Sequence, residues 1–259
     1  MVTNFGMETS PGGDAGGATR PELSVLLPAY NEEDCIDAIV RETVCVLHGM
    51  GRPFEILVVD DGSTDSSPSR LKALCAEMPE LRALRLAINS GQSAALGAAF
   101  RAARGNIFVT LDADGQNDPS DIPALVAKLD SCDLCCGYRV RRRDTWSKRL
   151  GSRLANAVRN RILREKIRDT GCTLKAFRAD FARALPMQFR GLHRFLPALL
   201  AMGGARIAEI PVNHRPRAAG QSKYTNWGRL RETLWDLWAV RWMQKRHRPI
   251  RVEDPQWKR

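Results

Sequence analysis

A chain of 259 residues, 44% hydrophobic and 27% charged, is long enough for one large or two small domains with a real core, and its composition is that of an ordinary globular protein. It contains no run of about 18 apolar residues, which excludes a bilayer-spanning helix. The net charge of +11 is concentrated in two segments: 139–168 holds twelve Lys/Arg against two acids, and 215–259 holds twelve against four, leaving the remainder at −7. An acidic body with two basic segments points to a polyanionic partner: nucleic acid, anionic lipid or a phosphate-bearing substrate.

Residues 1–20 contain Gly, Thr and Asp without the apolar centre of a secretory signal, and are expected to be a disordered tail. Leu23–Leu27 reads as a short buried strand ended by Pro28. Asn31, Glu32 and Glu33 then open a helix, whose positive N-terminus favours acids. That helix carries Ile36, Ile39, Val40, Val44 and Leu47 at helical spacing. Phe54–Val59 is a second strand that stops in carboxylates, Asp60-Asp61-Gly62-Ser63-Thr64-Asp65, where Gly62 allows a tight turn and Ser63, Thr64 or Asp65 can cap the next helix. Leu81–Ile88 is a third strand, and Asn89-Ser90-Gly91-Gln92 turns into an Ala-rich helix through Arg101.

The fourth strand, Asn106–Leu111, ends in Asp112-Ala113-Asp114-Gly115-Gln116. In an extended segment residues i and i+2 face the same side, so Asp112 and Asp114 can address one target together. Two carboxylates with an amide at Gln116 suit a divalent cation shared with substrate phosphates, as Mg²⁺ prefers. The same residues would also serve as an acidic turn before the helix that Pro119 and Ser120 open. Strand and helix alternating at about thirty-residue spacing predicts a mostly parallel α/β sheet. In such sheets ligands lie beyond the carboxyl ends of the strands, where this chain places Tyr30/Asn31/Glu32, Asp60/Asp61, Asn89 and Asp112/Asp114. No G-x-G-x-x-G follows the first strand, which argues against a dinucleotide fold.

These segments, Pro28–Glu32, Val59–Asp65, Asn89–Gln92 and Asp112–Gln116, together resemble the family 2 glycosyltransferases of the GT-A fold. Gly137-Tyr138-Arg139, Asp169-Thr170-Gly171-Cys172, Gly191–Phe195 and Gly220-Gln221-Ser222-Lys223-Tyr224 narrow the resemblance to polyprenyl-phosphate sugar transferases, over about residues 22–245. The resemblance implies a GT-A domain over 21–225 and an interfacial extension over 226–259. It implies that Pro28, Tyr30, Glu32, Asp60, Asp61 and Asn89 hold the nucleoside of a nucleotide-diphosphate sugar. Asp112, Asp114 and Gln116 would bind Mg²⁺ or Mn²⁺. Arg139, with basic residues of the following helix (Arg149, Arg153), would hold a polyprenyl phosphate, Asp169 would stand at the acceptor side, and Arg217, Ser222 and Lys223 would close over the phosphates. Asp169 could equally orient Arg139 or a residue on the basic helix. The implied reaction is inverting sugar transfer at the inner, cytoplasmic face of a membrane.

The basic stretch agrees. Leu150, Leu154, Val158 and Ile162 recur every four residues among Lys148, Arg149, Arg153, Arg159 and Arg161, the pattern of an amphipathic helix lying on an anionic surface or packed on the sheet with a solvated basic face. Nucleic acid is disfavoured, because aromatics are few there and no recognition motif is present. In the last helix, over 226–245, Trp235, Trp238 and Trp242 share a face beside Leu234, with Trp227 nearer its start; Trp favours membrane–water or protein interfaces. Anchoring is therefore expected to be peripheral, or to come through a partner protein; the oligomeric state stays open. His193 and His214 read as structural. The seven cysteines include Cys132-x-x-Cys135 without a second pair, and read as buried thiols of a reducing compartment rather than a zinc site. Two rival functions remain: a family 2 transferase with a soluble or polysaccharide acceptor, and a non-enzymatic membrane-bound module.

Overall fold

The structure, a computed structural model, describes residues 20–140, 146–183, 185–216 and 226–248, with side chains in the two longest helices, 146–163 and 226–246, described from 155 and from 232 onward. Seven strands form one sheet in the order β3-β2-β1-β4-β6-β5-β7: β1 Leu23–Ala29, β2 Phe54–Asp60, β3 Leu81–Arg85, β4 Ile107–Thr110, β5 Leu134–Arg139, β6 Lys175–Arg178 and β7 Ile207–Val212. The helices are α1 Ile36–Gly49, α2 Ser67–Glu77, α3 Gln92–Ala102, α4 Ile122–Lys128, α5 Trp146–Leu163, α6 Leu196–Met202 and α7 Asn226–Arg246. β1 pairs in parallel with β2 and β4, β2 with β3, and β5 with β7, while β6 runs antiparallel between β4 and β5. The mostly parallel α/β sheet expected from the alternating pattern is thus present, and it is consistent with the GT-A fold.

The strands sort their side chains by parity. Val25, Leu27, Ile56, Val58 and Val109 enter the core beneath α1, α2 and α4, whereas Leu26, Leu57, Val59 and Phe108 enter the opposite core with α3 and α6. Both faces are covered, which is why these strands read as continuous apolar runs. In the second core Phe100, Phe108 and Phe177 meet at centroid distances of 5.8–6.1 Å, locking α3 to β4 and β6.

Three local readings are corrected. β1 does not stop at Pro28 but continues to Ala29, with Pro28 in register with Val59. The Leu26 carbonyl faces β4, accepting from Leu111 N, and the Ala29 carbonyl faces β2, accepting from Asp61 N. Alternation therefore turns the donorless nitrogen of Pro28 to the β4 side, past the last β4 register partner at Thr110, where no ladder bond is lost. The helix after Asn31 begins at Ile36, and Glu33, instead of serving its own helix, accepts from Ser66 N across the neighbouring loop. The third strand ends at Arg85 rather than at residue 88.

The basic helix differs more. Val158 is exposed, while Arg159 is buried. Its guanidinium pairs with Glu165 at 3.3 Å, donates to the Arg194 carbonyl at 2.9 Å and lies 4.7 Å over the Phe195 ring. Arg159 is thus an internal tie between α5 and the turn before α6, not part of a surface cationic face. Lys148, Arg149 and Arg153 lie outside the described side chains.

Candidate active site

Because β6 is antiparallel to both neighbours, the ends of β1, β2, β3, β4, β5 and β7 and the start of β6 lie along one sheet edge. The expected site residues among those described lie at or after strand ends, except Asp169, which comes from the loop between α5 and β6. The loops after β1 and β2 are stitched together: Asn31 N donates to Ser63 Oγ, Thr64 N to Asn31 Oδ1, Glu32 N to Ser67 Oγ and Glu33 N to Asp65 Oδ2, at 2.8–3.2 Å. Pro28, Tyr30 and Glu32 stand partly exposed beside this seam.

Asp60 and Asp61 divide their work. Asp60 accepts from Ser63 N and pairs with Arg85 at 3.2 Å. Asp61 reaches the next strand end, accepting from Ser90 N at 2.7 Å and Gly91 N at 2.8 Å, so it shapes the turn that carries Asn89. Burial, with Asp60 as a lesser cause, raises its pKa against those two hydrogen bonds. Gly62, at φ +72°, lies so close to that turn that a Cβ would stand 2.7 Å from Asn89 N and 2.8 Å from the Ile88 carbonyl carbon. The exposed Asn89 is therefore placed by its backbone.

The acidic pair sits past β4. Gln92 Nε2, from the first residue of α3, donates to Asp112 Oδ1 at 2.8 Å, and Thr173 also hydrogen-bonds this carboxylate. Desolvation and the neighbouring Asp114 push Asp112 up to about 6, against those bonds and the charge of Lys175. Asp114 is buried and accepts from Gln116 N at 3.1 Å. Two hard oxygen donors near enough for Asp114 to raise the Asp112 pKa, in a partly desolvated site, fit a divalent cation, which would relieve their repulsion. Among the described residues no group of three His, Cys, Asp or Glu could hold a metal, so a cation here would draw further oxygens from a bound ligand or water.

A small pocket opens at Asp112, lined by Pro28, Gln92, Thr110, Thr173, Lys175 and His193 among others. Sequence reasoning missed Thr173 and Lys175 as site residues and left Gln92 without a role. Lys175 is buried, donates to the Cys172 carbonyl, and reaches the site because β6 pairs it with Thr110. No local pattern signals this, since an antiparallel strand has to be inserted between β4 and β5. His193 contacts Ser93 through Nδ1 at 2.8 Å and lines the same pocket, though the sequence alone makes it a structural residue.

Arg139, at the end of β5, is held by Asp169 through Nε at 2.7 Å and Nη2 at 2.9 Å, and Arg139 N adds a third bond at 3.2 Å. A Cβ at Gly171 would approach Arg139 Nη2 to 2.9 Å. Asp169 therefore holds Arg139 rather than a residue of the basic helix. The Nε–Nη2 fork expected to grip a phosphate is taken by Asp169. The segment after β7 docks on the acidic loop: Arg215 N donates to the Gln116 carbonyl, Asn117 bridges His214, and the Arg215 guanidinium binds both Glu42 oxygens at 2.7 Å and Asp118 at 2.8 Å. Neither Arg215 nor Glu42 stands out in the sequence. Arg217, Ser222 and Lys223, just beyond, lie outside the described residues.

The family model of glycosyl transferase family 2 matches residues 24–185, well over half of the chain and every strand end up to Lys175. The chain belongs to glycosyl transferase family 2. Solved structures share the fold of this family 2 chain at low identity. Glucosyl-3-phosphoglycerate synthase from Mycobacterium tuberculosis, in complex with Mn²⁺, uridine diphosphate and phosphoglyceric acid, superposes with a TM-score of 0.64 at 21% identity, over 88% of this chain and 80% of that one. The same enzyme with Mn²⁺ and uridine-diphosphate-glucose gives 0.60 at 20%, over 85% and 79%. TarS residues 1–349 from S. aureus gives 0.52 at 22%, over 74% and 60%.

Proposed function

We propose that this family 2 glycosyltransferase moves a sugar from a nucleotide-diphosphate donor to a phosphate-bearing acceptor, with inversion at the anomeric carbon. The observation that carries the reading is the placement of Asp112, Asp114 and Arg139 on one sheet edge, next to a pocket that also contains Lys175. Asp112 and Asp114 would hold Mg²⁺ or Mn²⁺, the ions present with uridine diphosphate in the structures of glucosyl-3-phosphoglycerate synthase. When bound, such an ion offsets the charge that builds on the departing nucleoside diphosphate. The stitched loops after β1 and β2 receive the nucleoside, with Asp60 and Asp61 holding those loops in shape. Arg139, fixed in direction by Asp169, contributes a cation on the acceptor side. An acceptor oxygen forms the new bond to the anomeric carbon as the bond to the donor β-phosphate oxygen breaks and the nucleoside diphosphate leaves with the electron pair.

Two acceptors share the phosphate chemistry. A soluble phosphorylated molecule has the support of the comparisons, since a similar enzyme was solved with phosphoglyceric acid. A polyprenyl phosphate has the support of the motif resemblance at Gly137–Arg139, Asp169–Cys172 and Gly191–Phe195. A polyprenyl phosphate near pH 7 already carries an anionic phosphate oxygen, with a second pKa of about 6, and needs no general base, whereas a hydroxyl of a soluble phosphorylated acceptor would have to give its proton to a base as the bond forms. The deciding experiment is transfer, with Mn²⁺ and a panel of nucleotide sugars, to a short-chain polyprenyl phosphate, its free alcohol and phosphoglyceric acid in parallel. Transfer to the free alcohol as fast as to either phosphate would refute a phosphate-bearing acceptor.

A further inference from the structure

α7 carries apolar side chains on two opposite sides. Leu237 and Val240 are buried in the core shared with α3 and α6. Thr233, on the same side, accepts from Arg194 Nη1 at 2.9 Å, and Gln244 donates to the Leu163 carbonyl at 3.2 Å. A helix that only had to close this core would be polar on its outer face. Instead Trp235, Trp238 and Trp242 are 71%, 61% and 62% exposed, with Leu234 at 45%. At about 100° per residue, these side chains fall within one stripe roughly 100° wide, opposite Leu237 and Val240. Lys245 lies on the same stripe and is exposed, as are Arg246 and Arg248 just beyond it. Glu232 and Asp236, the acids of α7, lie off the stripe.

We propose that the Trp235–Trp238–Trp242 stripe of α7, ending in Lys245, is an interfacial docking surface for an anionic lipid membrane. Indole rings combine an apolar body with one N–H donor, which suits the headgroup level. An acid-free stripe with cations at one end matches a negatively charged surface. A second copy fits worse, since it would bring the same cation-bearing stripe and the same net charge of +11. Among the described residues no helix is long and apolar enough to cross a membrane, so this contact would lie in the interface plane. Of the cations expected on the α5 surface, Arg159 is drawn to the interior. The inference deepens the polyprenyl-phosphate reading but is tested separately from it.

The test is flotation of the full chain with phosphatidylcholine vesicles and with vesicles of equal parts phosphatidylcholine and phosphatidylglycerol, beside sedimentation equilibrium without lipid. The chain should float with the anionic vesicles, with blue-shifted tryptophan emission. The triple variant Trp235→Ser/Trp238→Ser/Trp242→Ser should lose binding by more than about tenfold, and Lys245→Glu should weaken it. Unchanged thermal stabilisation by uridine diphosphate with Mn²⁺ would show the variants to be folded. Equal flotation of the triple variant, or a wild-type chain that ignores anionic vesicles, overturns the proposal. So does a wild-type dimer that the triple variant dissolves without vesicle binding. Vesicle binding with transfer only to a soluble acceptor would leave the docking surface standing and remove the lipid acceptor. Transfer to polyprenyl phosphate in detergent without vesicle binding would do the reverse.

Discussion

Asp169 grips Arg139 by two guanidinium nitrogens and by its backbone N–H, and Gly171 N donates to the same carboxylate at 3.2 Å. Both side chains are mostly enclosed, at 15% and 8% exposure. The pair fixes the direction of the cation that β5 delivers to the site edge, and removing either partner leaves the other poorly solvated. Arg139→Ala should lower transfer about a hundredfold, the scale of a misplaced positioning group, with donor binding nearly unchanged. Arg139→Lys should recover only part, since an ammonium keeps the charge but cannot match both Asp169 oxygens. Asp169→Ala should cost up to roughly 3–5 kcal/mol of stability as well as activity. Steady-state kinetics with separate donor-binding titrations checks this; normal transfer by Arg139→Ala would remove Arg139 from the mechanism.

The acidic pair should respond to pH in a definite direction. Asp112, raised to about 6 from 3.8, binds its proton more tightly folded than unfolded. Stability of the metal-free chain therefore falls as pH rises from about 4 to about 6, and Asp112→Asn should flatten that slope. A cation requires the ionised carboxylate, so Mn²⁺-dependent binding of the donor nucleotide should weaken as pH drops through about 6. Lys175→Met should move that midpoint upward, because the Lys175 charge lowers the Asp112 pKa. Asp112→Asn and Asp114→Asn should each reduce transfer by about a hundredfold or more. Calorimetric titrations across pH, with full activity in a chelator as the contrary outcome, measure this.

Gly62→Ala should destabilise the fold by roughly 1–3 kcal/mol, the range for strain at a left-handed position. The added methyl meets backbone of Ile88 and Asn89, not a movable side chain. Chemical denaturation gives the number; a loss below a few tenths of a kcal/mol would mean the turn moves freely.

Arg215 is more exposed than Arg139, and its ion pairs with Glu42 and Asp118 should contribute only about 1 kcal/mol to stability. Arg215→Ala should nevertheless cut transfer severalfold, because it releases the segment docked on the Asn117–Asp121 loop. A fall in activity no larger than the stability change predicts would limit Arg215 to a structural role.

At the far end of β5, Asp133 is held down to about 2 by hydrogen bonds from Arg206 and the charge of Arg178. Its contribution is present above about pH 4 and lost as pH falls toward 2. Asp133→Asn should lower Tm at neutral pH, and the gap to wild type should close over that acid range.

What could be read in the chain was what depends on neighbours in sequence. Apolar runs ending in Asp60-Asp61 and Asp112-Ala113-Asp114 announced parallel strands with acids at their carboxyl ends, because side-chain parity and strand termination are local properties. That Trp235, Trp238 and Trp242 share one face of α7 was equally legible from spacing, whereas the exposure of that face was not. What only the tertiary structure decided rests on partners far apart in sequence. Lys175 joins Asp112 through an antiparallel strand, Arg215 meets Glu42 across 173 residues, and Arg159, cationic and periodic with surface residues, is drawn inside by Glu165 and Phe195. A charge pattern shows how much charge a helix carries. Which side of the helix meets water is decided by the elements packed against it, and these lie elsewhere in the chain.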